Sequence, residues 1–229
     1  MDRVLLVTGA SSGIGRETAK RAADAGFKVA MAARSAAKLK ELSDELGGAG
    51  RALAISCDIQ DEDDQQTMVD KVVSHFGRLD AVFVNAGSGG SPGGFTGADP
   101  ESWKQLLLTN VYGAAVTVQK CLPMLRKSRG HVVLTGSIAG RVTISGSMYS
   151  ASKWAVTAIG HGLREELRGS GIRVTLIEPG IVDTPFFDQR PEGGALQAAD
   201  VANAVLYALS QPEHVDVNEI MLQATTPVE

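Results

Sequence analysis

Short apolar runs alternate along the chain with longer stretches in which apolar residues recur every three or four positions. The short runs predict strands over 4–8, 28–33, 51–57, 81–85, 130–135, 173–177 and 219–223. The longer stretches predict helices over 13–25, 36–46, 63–76, 100–125, 149–168 and 199–209. Strand and helix in alternation imply a parallel sheet covered by helices on both faces. The early strands are apolar at nearly every position, as strands buried on both sides must be. Several boundaries have local causes. Asp99 can cap the fourth helix with Pro100 at its first position. Gly169 and Gly171 can end the fifth, and Gly26 stands where a left-handed stop is needed after the first.

The chain has 229 residues, which predicts one domain over 1–229 with a full core. A net charge of −4 gives no basic field for nucleic acid or an anionic membrane, so neither is expected as a partner. Cys57 and Cys121 lie far apart, which argues against a disulfide framework and suits a reducing, cytoplasmic setting. His75, His131, His161 and His214 show no metal-ligand spacing with them, so no metal is expected. The first apolar run, Val4 to Val7, is too short for a signal-peptide core, and no run of 18 apolar residues predicts a membrane span.

In a doubly wound sheet, ligands bind beyond the carboxyl ends of the strands. Two loops land there: 88–97, with five glycines, and roughly 183–198, with two prolines and two phenylalanines. The first strand also ends there, in Thr8-Gly9-Ala10-Ser11-Ser12-Gly13-Ile14-Gly15, followed at once by a helix. Glycines allow a tight turn and close backbone approach to a diphosphate, and the helix start offers free N–H groups. The second strand ends in Ala33-Arg34. NAD-preferring sites often carry an acid here for the ribose hydroxyls, whereas Arg34 would pair with a 2′-phosphate. NADP(H) is therefore the expected cofactor, with NAD(H) as the alternative. Arg16 is a weaker source of positive potential.

Tyr149 and Lys153 are spaced to share one helix face. A free tyrosine titrates near ~10, and a neighbouring ammonium lowers that value. A phenol so tuned can give a proton to a developing alkoxide or take one from an alcohol. Ser137 follows the fifth strand and can hold a substrate oxygen beside Tyr149.

In these residues the sequence resembles the short-chain dehydrogenase/reductase family, in its single-domain branch. The motifs that carry the resemblance are Thr8 to Gly15, Asn85-Ala86-Gly87, Asn110, Ser137, Tyr149 with Lys153, and Pro179-Gly180. The resemblance implies a Rossmann-type three-layer α/β sandwich around a seven-stranded parallel sheet. It implies catalysis by Asn110, Ser137, Tyr149 and Lys153, with Asn110 in a proton relay and Lys153 also on the nicotinamide ribose. Cofactor contacts would come from Gly9, Ser11, Ser12, Gly13, Ile14, Gly15 and Arg34. Asp58 and Ile59 would meet the adenine, and Asn85, Ala86 and Gly87 would line the cleft. Pro179, Gly180, Ile181, Val182 and Thr184 would lie toward the nicotinamide. One departure is Ser12, which stands where many NADP-using relatives carry a basic residue. Another is a compact segment between Thr184 and Ala199, which implies an open or partner-completed pocket.

The expected activity is hydride transfer between NADP(H) and a small alcohol or carbonyl substrate. A binding-only sensor or scaffold would use the glycine turn without the Asn110, Ser137, Tyr149 and Lys153 set. An isomerase or lyase on the same fold would consume no NADPH. A methyltransferase would also carry a glycine loop, but the tyrosine–lysine pair and the missing acid after the second strand count against it. Phe95, Ile144, Met148, Phe186 and Phe187 are candidate pocket walls, and Arg141 and Arg190 are candidates to hold a substrate carboxylate. By resemblance, helices 100–125 and 149–168 would build a homodimer or homotetramer.

Overall fold

The computed structural model describes residues 3–187 and 193–226. Strands β1 (Val4–Thr8), β2 (Lys28–Ala33), β3 (Ala52–Ser56), β4 (Ala81–Val84), β5 (His131–Thr135), β6 (Arg173–Pro179) and β9 (Glu219–Leu222) form one sheet. Its order is β3-β2-β1-β4-β5-β6-β9 and every pairing is parallel. The winding reverses between β1 and β4, so the chain leaves their carboxyl ends toward opposite faces of the sheet and a crevice opens there. A separate two-residue ladder joins β7 (Val182–Asp183) to β8 (Leu196–Gln197).

Alternate residues of each strand feed opposite cores. On one face Leu6, Val82, Leu134 and Leu176 meet residues of helices α3 (Glu62–Phe76), α6 (Ala114–Ser128) and α7 (Met148–Glu166). On the other, Leu5, Val7, Phe83 and Ile177 meet α1 (Gly13–Asp24), α2 (Ala36–Glu45) and α8 (Ala198–Ser210). Each such side chain, fully removed from water, contributes roughly 1.5–3 kcal/mol. Asp99 caps α5 (Pro100–Leu107) through the Glu101 amide at 3.0 Å, and Gly26 takes φ 90°, both as the sequence implies.

Three features depart from the periodicity. The helix expected over 100–125 is interrupted: α5 passes into a wide π turn (Leu108–Gly113) before α6 continues to Ser128. Side chains hold the break. Buried Gln65 donates to the Ile59 and Gly113 carbonyls at 2.7 and 3.1 Å, and Thr117 donates to Gly113 at 2.8 Å. Strand β6 runs past Ile177 to Pro179 because Glu178, polar and fully buried, is paired with Arg141 at 2.7 Å. The short helix α4 (Gly94–Gly97), the 3₁₀ turn Ile138–Gly140 and the β7–β8 ladder span too few residues to show a period.

Helix α7 sits close on β6 because Gly160 has no side chain; a Cβ there would meet Leu176 Cγ at 2.8 Å. Gly160→Val is expected to lower the unfolding free energy by about 1–3 kcal/mol through overpacking. Urea denaturation would show this as a lower midpoint at unchanged slope. A wild-type midpoint would mean that Leu176 yields the space.

Candidate active site

A cavity of 610 Å³ opens beyond the carboxyl ends of the strands, within the size range of small-molecule sites. Gly9, Ser11, Ser12, Gly13 and Ile14 form one wall. Gly9 takes φ 67°, and a Cβ there would lie 2.8 Å from Ala86 Cα. Gly15 lies beneath the turn rather than on the wall; its Cβ would fall 2.4 Å from the Gly9 carbonyl oxygen. Ser12 precedes α1 without a side-chain cap, and the first turn of α1 carries no acid. The start of α1 thus keeps its N–H groups and partial positive charge for an anion, the property a dinucleotide diphosphate requires.

Thr8 ties this wall to the next strand. Its hydroxyl accepts from the amides of Asn85 and Ala86 at 3.0 and 3.1 Å, while Asn85 Nδ2 donates to the Thr8 carbonyl at 3.0 Å. Thr135 donates to Asn85 Oδ1 at 3.3 Å, so one side chain links the ends of β1, β4 and β5. Asn85, Ala86 and Gly87 all line the cavity.

At the far end lie Ala33, Arg34, Ser35, Asp58, Ile59 and Gln60. Arg34 is exposed and makes no hydrogen bond or ion pair with the described residues. Arg16 is held instead by Glu41 and Glu45 at 3.3 and 2.9 Å, which removes it as a source of positive potential in the cavity. Cys57 reaches this wall, but burial, with Asp64, Asp58 and Asp61 nearby, pushes its thiol up to about 12.

At the near end Tyr149, Lys153, Ser137, Thr135 and Gly136 share the wall. Helix α7 begins at Met148, capped by the Ser147 hydroxyl on the Ser150 amide at 3.0 Å. Ser150 donates to the Ala139 and Val142 carbonyls, which anchors the 3₁₀ turn after Ser137 against α7. Lys153 is only 6% exposed, and its ammonium donates to the Thr135 carbonyl at 2.8 Å. Burial draws its pKa down to about 8. The Tyr149 phenol is pushed above its ordinary value by burial, against a lowering hydrogen bond from Ser137. This reverses the sequence expectation of a lowered phenol. The ammonium lies 5.7 Å from the Tyr149 ring centroid and bonds Thr135, so desolvation outweighs its charge.

Asn110 lies within the π turn, buried behind the wall. Its Oδ1 accepts from the Ser88 amide at 2.8 Å, and its Nδ2 donates to the Ser88 carbonyl and to Ser152 Oγ at 3.0 and 3.1 Å. It therefore fastens the glycine-rich loop to α7. Ser152 escaped the sequence reading because a serine between Tyr149 and Lys153 carries no spacing signal. Ser88, Thr109 and Gln60 were likewise unmarked.

Pro179, Gly180, Val182, Thr184, Pro185, Phe186 and Phe187 also line the cavity. Phe95, Ile144, Met148 and Ile181 are not among the lining residues. Phe95 stacks edge-on against Trp103 with centroids 5.6 Å apart. Arg141 cannot serve a substrate carboxylate, since Glu178 and Glu219 already bind it. Arg190 lies outside the described residues.

Residues 3–194 match the model of a family described as short chain dehydrogenase. An uncharacterized oxidoreductase of Staphylococcus saprophyticus is 37% identical over 228 residues, covering 97% of each chain. An alcohol dehydrogenase from the archaeon Thermococcus sibiricus, complexed with 5-hydroxy-NADP, superposes with TM-score 0.90 at 28% identity; the match covers 98% of this chain and 97% of that one. A 3-ketoacyl-(acyl-carrier-protein) reductase from Brucella melitensis, complexed with NADH, gives TM-score 0.88 at 30% identity over 97% of each. With its seven-stranded parallel sheet, its glycine turn and its ordered motifs, the chain is an oxidoreductase that belongs to the short-chain dehydrogenase/reductase family.

Proposed function

We propose that this chain reduces a carbonyl compound, or oxidises the matching alcohol, with NADP(H), and that Tyr149 is the general acid or base. The observation that carries this reading is a shared wall: Ser137, Tyr149 and Lys153 line the same cavity as the phosphate turn. One domain, 1–229, would then carry both sites.

The residues fit a dinucleotide. The α1 start and Gly9, Ser11, Ser12, Gly13 and Ile14 would bind its diphosphate, with Gly15 allowing the turn to close. Asp58 and Ile59 would meet its adenine, and Arg34 its 2′-phosphate. Asn85, Ala86 and Gly87 would line its path. Pro179, Gly180, Val182 and Thr184 would flank its nicotinamide, with Tyr149 and Lys153 at the ribose. When bound, it supplies or accepts the hydride.

The protein's part is position and proton control. Ser137 and Tyr149 would hold the substrate oxygen by two hydrogen bonds, and Tyr149 would give its proton as charge builds on that oxygen. The raised phenol keeps that proton at neutral pH, which suits reduction. Asn110 would hold the glycine-rich loop and α7 in register and support proton resupply toward Lys153. A sensor without chemistry would have no use for a buried ammonium beside a phenol, and an isomerase or lyase would leave the hydride chemistry idle.

Among the described residues no helix is long and apolar enough to cross a membrane. Free, buried Cys57 and Cys121 suit the cytoplasm. Exposed Leu107 on α5 and Trp154 on α7 support a homodimer or homotetramer packed through these helices.

Tyr149→Phe should leave the NADPH dissociation constant within about twofold and lower kcat by about 10²–10⁴, the range of a positioned acid. Wild-type turnover would remove Tyr149 from the chemistry. Arg34→Asp should weaken NADPH about ten- to a hundredfold relative to NADH, as loss of a charged hydrogen bond of ~1.5–3 kcal/mol requires. Fluorescence titration with both cofactors reads this, and an unchanged ratio would contradict NADP preference. Lys153 carries its charge below its depressed pKa and loses it as pH rises through about 8. The kcat/KM for reduction should therefore be level below that point and fall above it. A profile flat to about pH 10, where an unperturbed lysine titrates, would contradict this.

A further inference from the structure

Two anchors hold the turn that follows Ser137. On one side α7 grips it. Ser150 donates to the Ala139 and Val142 carbonyls at 2.7 and 3.1 Å. Gly140 lies so close to the helix that a Cβ there would fall 2.7 Å from the Lys153 carbonyl oxygen. On the other side the end of β6 grips it. Arg141, the residue after the 3₁₀ turn, donates through Nε to Glu178 Oε1 at 2.7 Å. The Ser137 hydroxyl donates to the carbonyl of Pro179, the next residue along β6, at 3.4 Å. Gly136 lies over the carboxylate, and a Cβ there would come 3.0 Å from Glu178 Cγ. Gly136 and Ser137 line the cavity, whereas Arg141 and Glu178 stand behind its wall.

This ion pair is a costly thing to keep there. Glu178 is fully buried, and its Oε2 has no hydrogen-bond partner among the described residues. Apolar side chains of similar volume commonly replace such a pair without loss of stability. What they cannot replace is direction. A guanidinium fork fixes two partners at once, and Arg141 also meets Glu219 of β9 through its terminal nitrogen at 2.5 Å. The turn is thereby tied to β6 and β9 as well as to α7.

We propose that Arg141 and Glu178 are positioning residues, whose ion pair sets where Ser137 stands between Tyr149 on α7 and the Pro179–Gly180 end of β6. This rests on the carbonyl-reductase reading above and adds two residues that never touch the substrate. Ser150 alone would leave the turn free to tilt on α7. A displacement of the Ser137 hydroxyl by about 1 Å would cost up to about a hundredfold in rate.

The test follows kcat for the carbonyl compound turned over fastest among a panel of ketones, aldehydes and keto acids. NADPH binding is read by fluorescence and amide exchange by mass spectrometry. Arg141→Lys keeps the charge balance but loses the fork. It should lower kcat by about ten- to a hundredfold, with Tm within about 3 °C and the NADPH Kd within about twofold of wild type. In a Ser137→Ala background the same substitution should cost less than about twofold, because the group it positions is gone. The amides of Gly140, Arg141 and Val142, bonded to the Ser137 and Ile138 carbonyls at 2.9, 2.8 and 3.2 Å, should exchange faster. Joint replacement, Arg141→Met with Glu178→Met, removes both charges and should keep Tm while leaving kcat low. Wild-type kcat or unchanged exchange in Arg141→Lys, equal losses with and without Ser137, or wild-type kcat in the joint variant would overturn the positioning role while carbonyl reduction stands. NADPH binding without turnover of any carbonyl by the wild-type chain would instead remove the reductase reading, and this inference with it.

Discussion

A lysine only 6% exposed, whose ammonium donates to the Thr135 carbonyl, is the constraint on which the site turns. Lys153 has three donors, and a buried charge is costly unless it is bonded. Helix α7 holds it there because Gly160 lets the helix close on β6 and Ser150 pins the turn after Ser137. The result is a charge drawn down to about 8, beside a phenol whose own ionisation is suppressed by the same burial. Under the proposed function, its other donors would serve the nicotinamide ribose and the Tyr149 oxygen.

The sheet was legible because its strands are buried on both faces. Val4 to Val7 and Val132 to Leu134 hold unbroken apolar runs with little else to become, and glycine and aspartate mark the helix ends. What escaped was decided by side chains distant in sequence. No periodicity reveals that Gln65 and Thr117 bind the Gly113 carbonyl and widen the long helix around Asn110. Nor does it show that Arg141 neutralises Glu178, which lets β6 continue through a charged residue to the cavity edge.

The site divides in the same way. Tyr149, Lys153 and Ser137 were readable because spacing on a helix and position after a strand are local facts, and the structure brings them to one wall. Tyr149's raised phenol was not readable, since it depends on how burial compares with a charge whose distance only the fold sets. Phe186 and Phe187 could be told from Phe95 only in three dimensions. The β7–β8 ladder anchors the base of their loop, while Phe95 turns away onto Trp103. Arg16 and Arg141 looked available for ligands until acids elsewhere in the chain were seen to occupy them.

Isotope tracing tests direct hydride transfer beside Tyr149. With NADPH deuterated at nicotinamide C4 on the transferred face, the carbinol carbon of the product should carry one deuterium, and mass spectrometry would detect it. Product formed without deuterium from either face-labelled cofactor would contradict the mechanism.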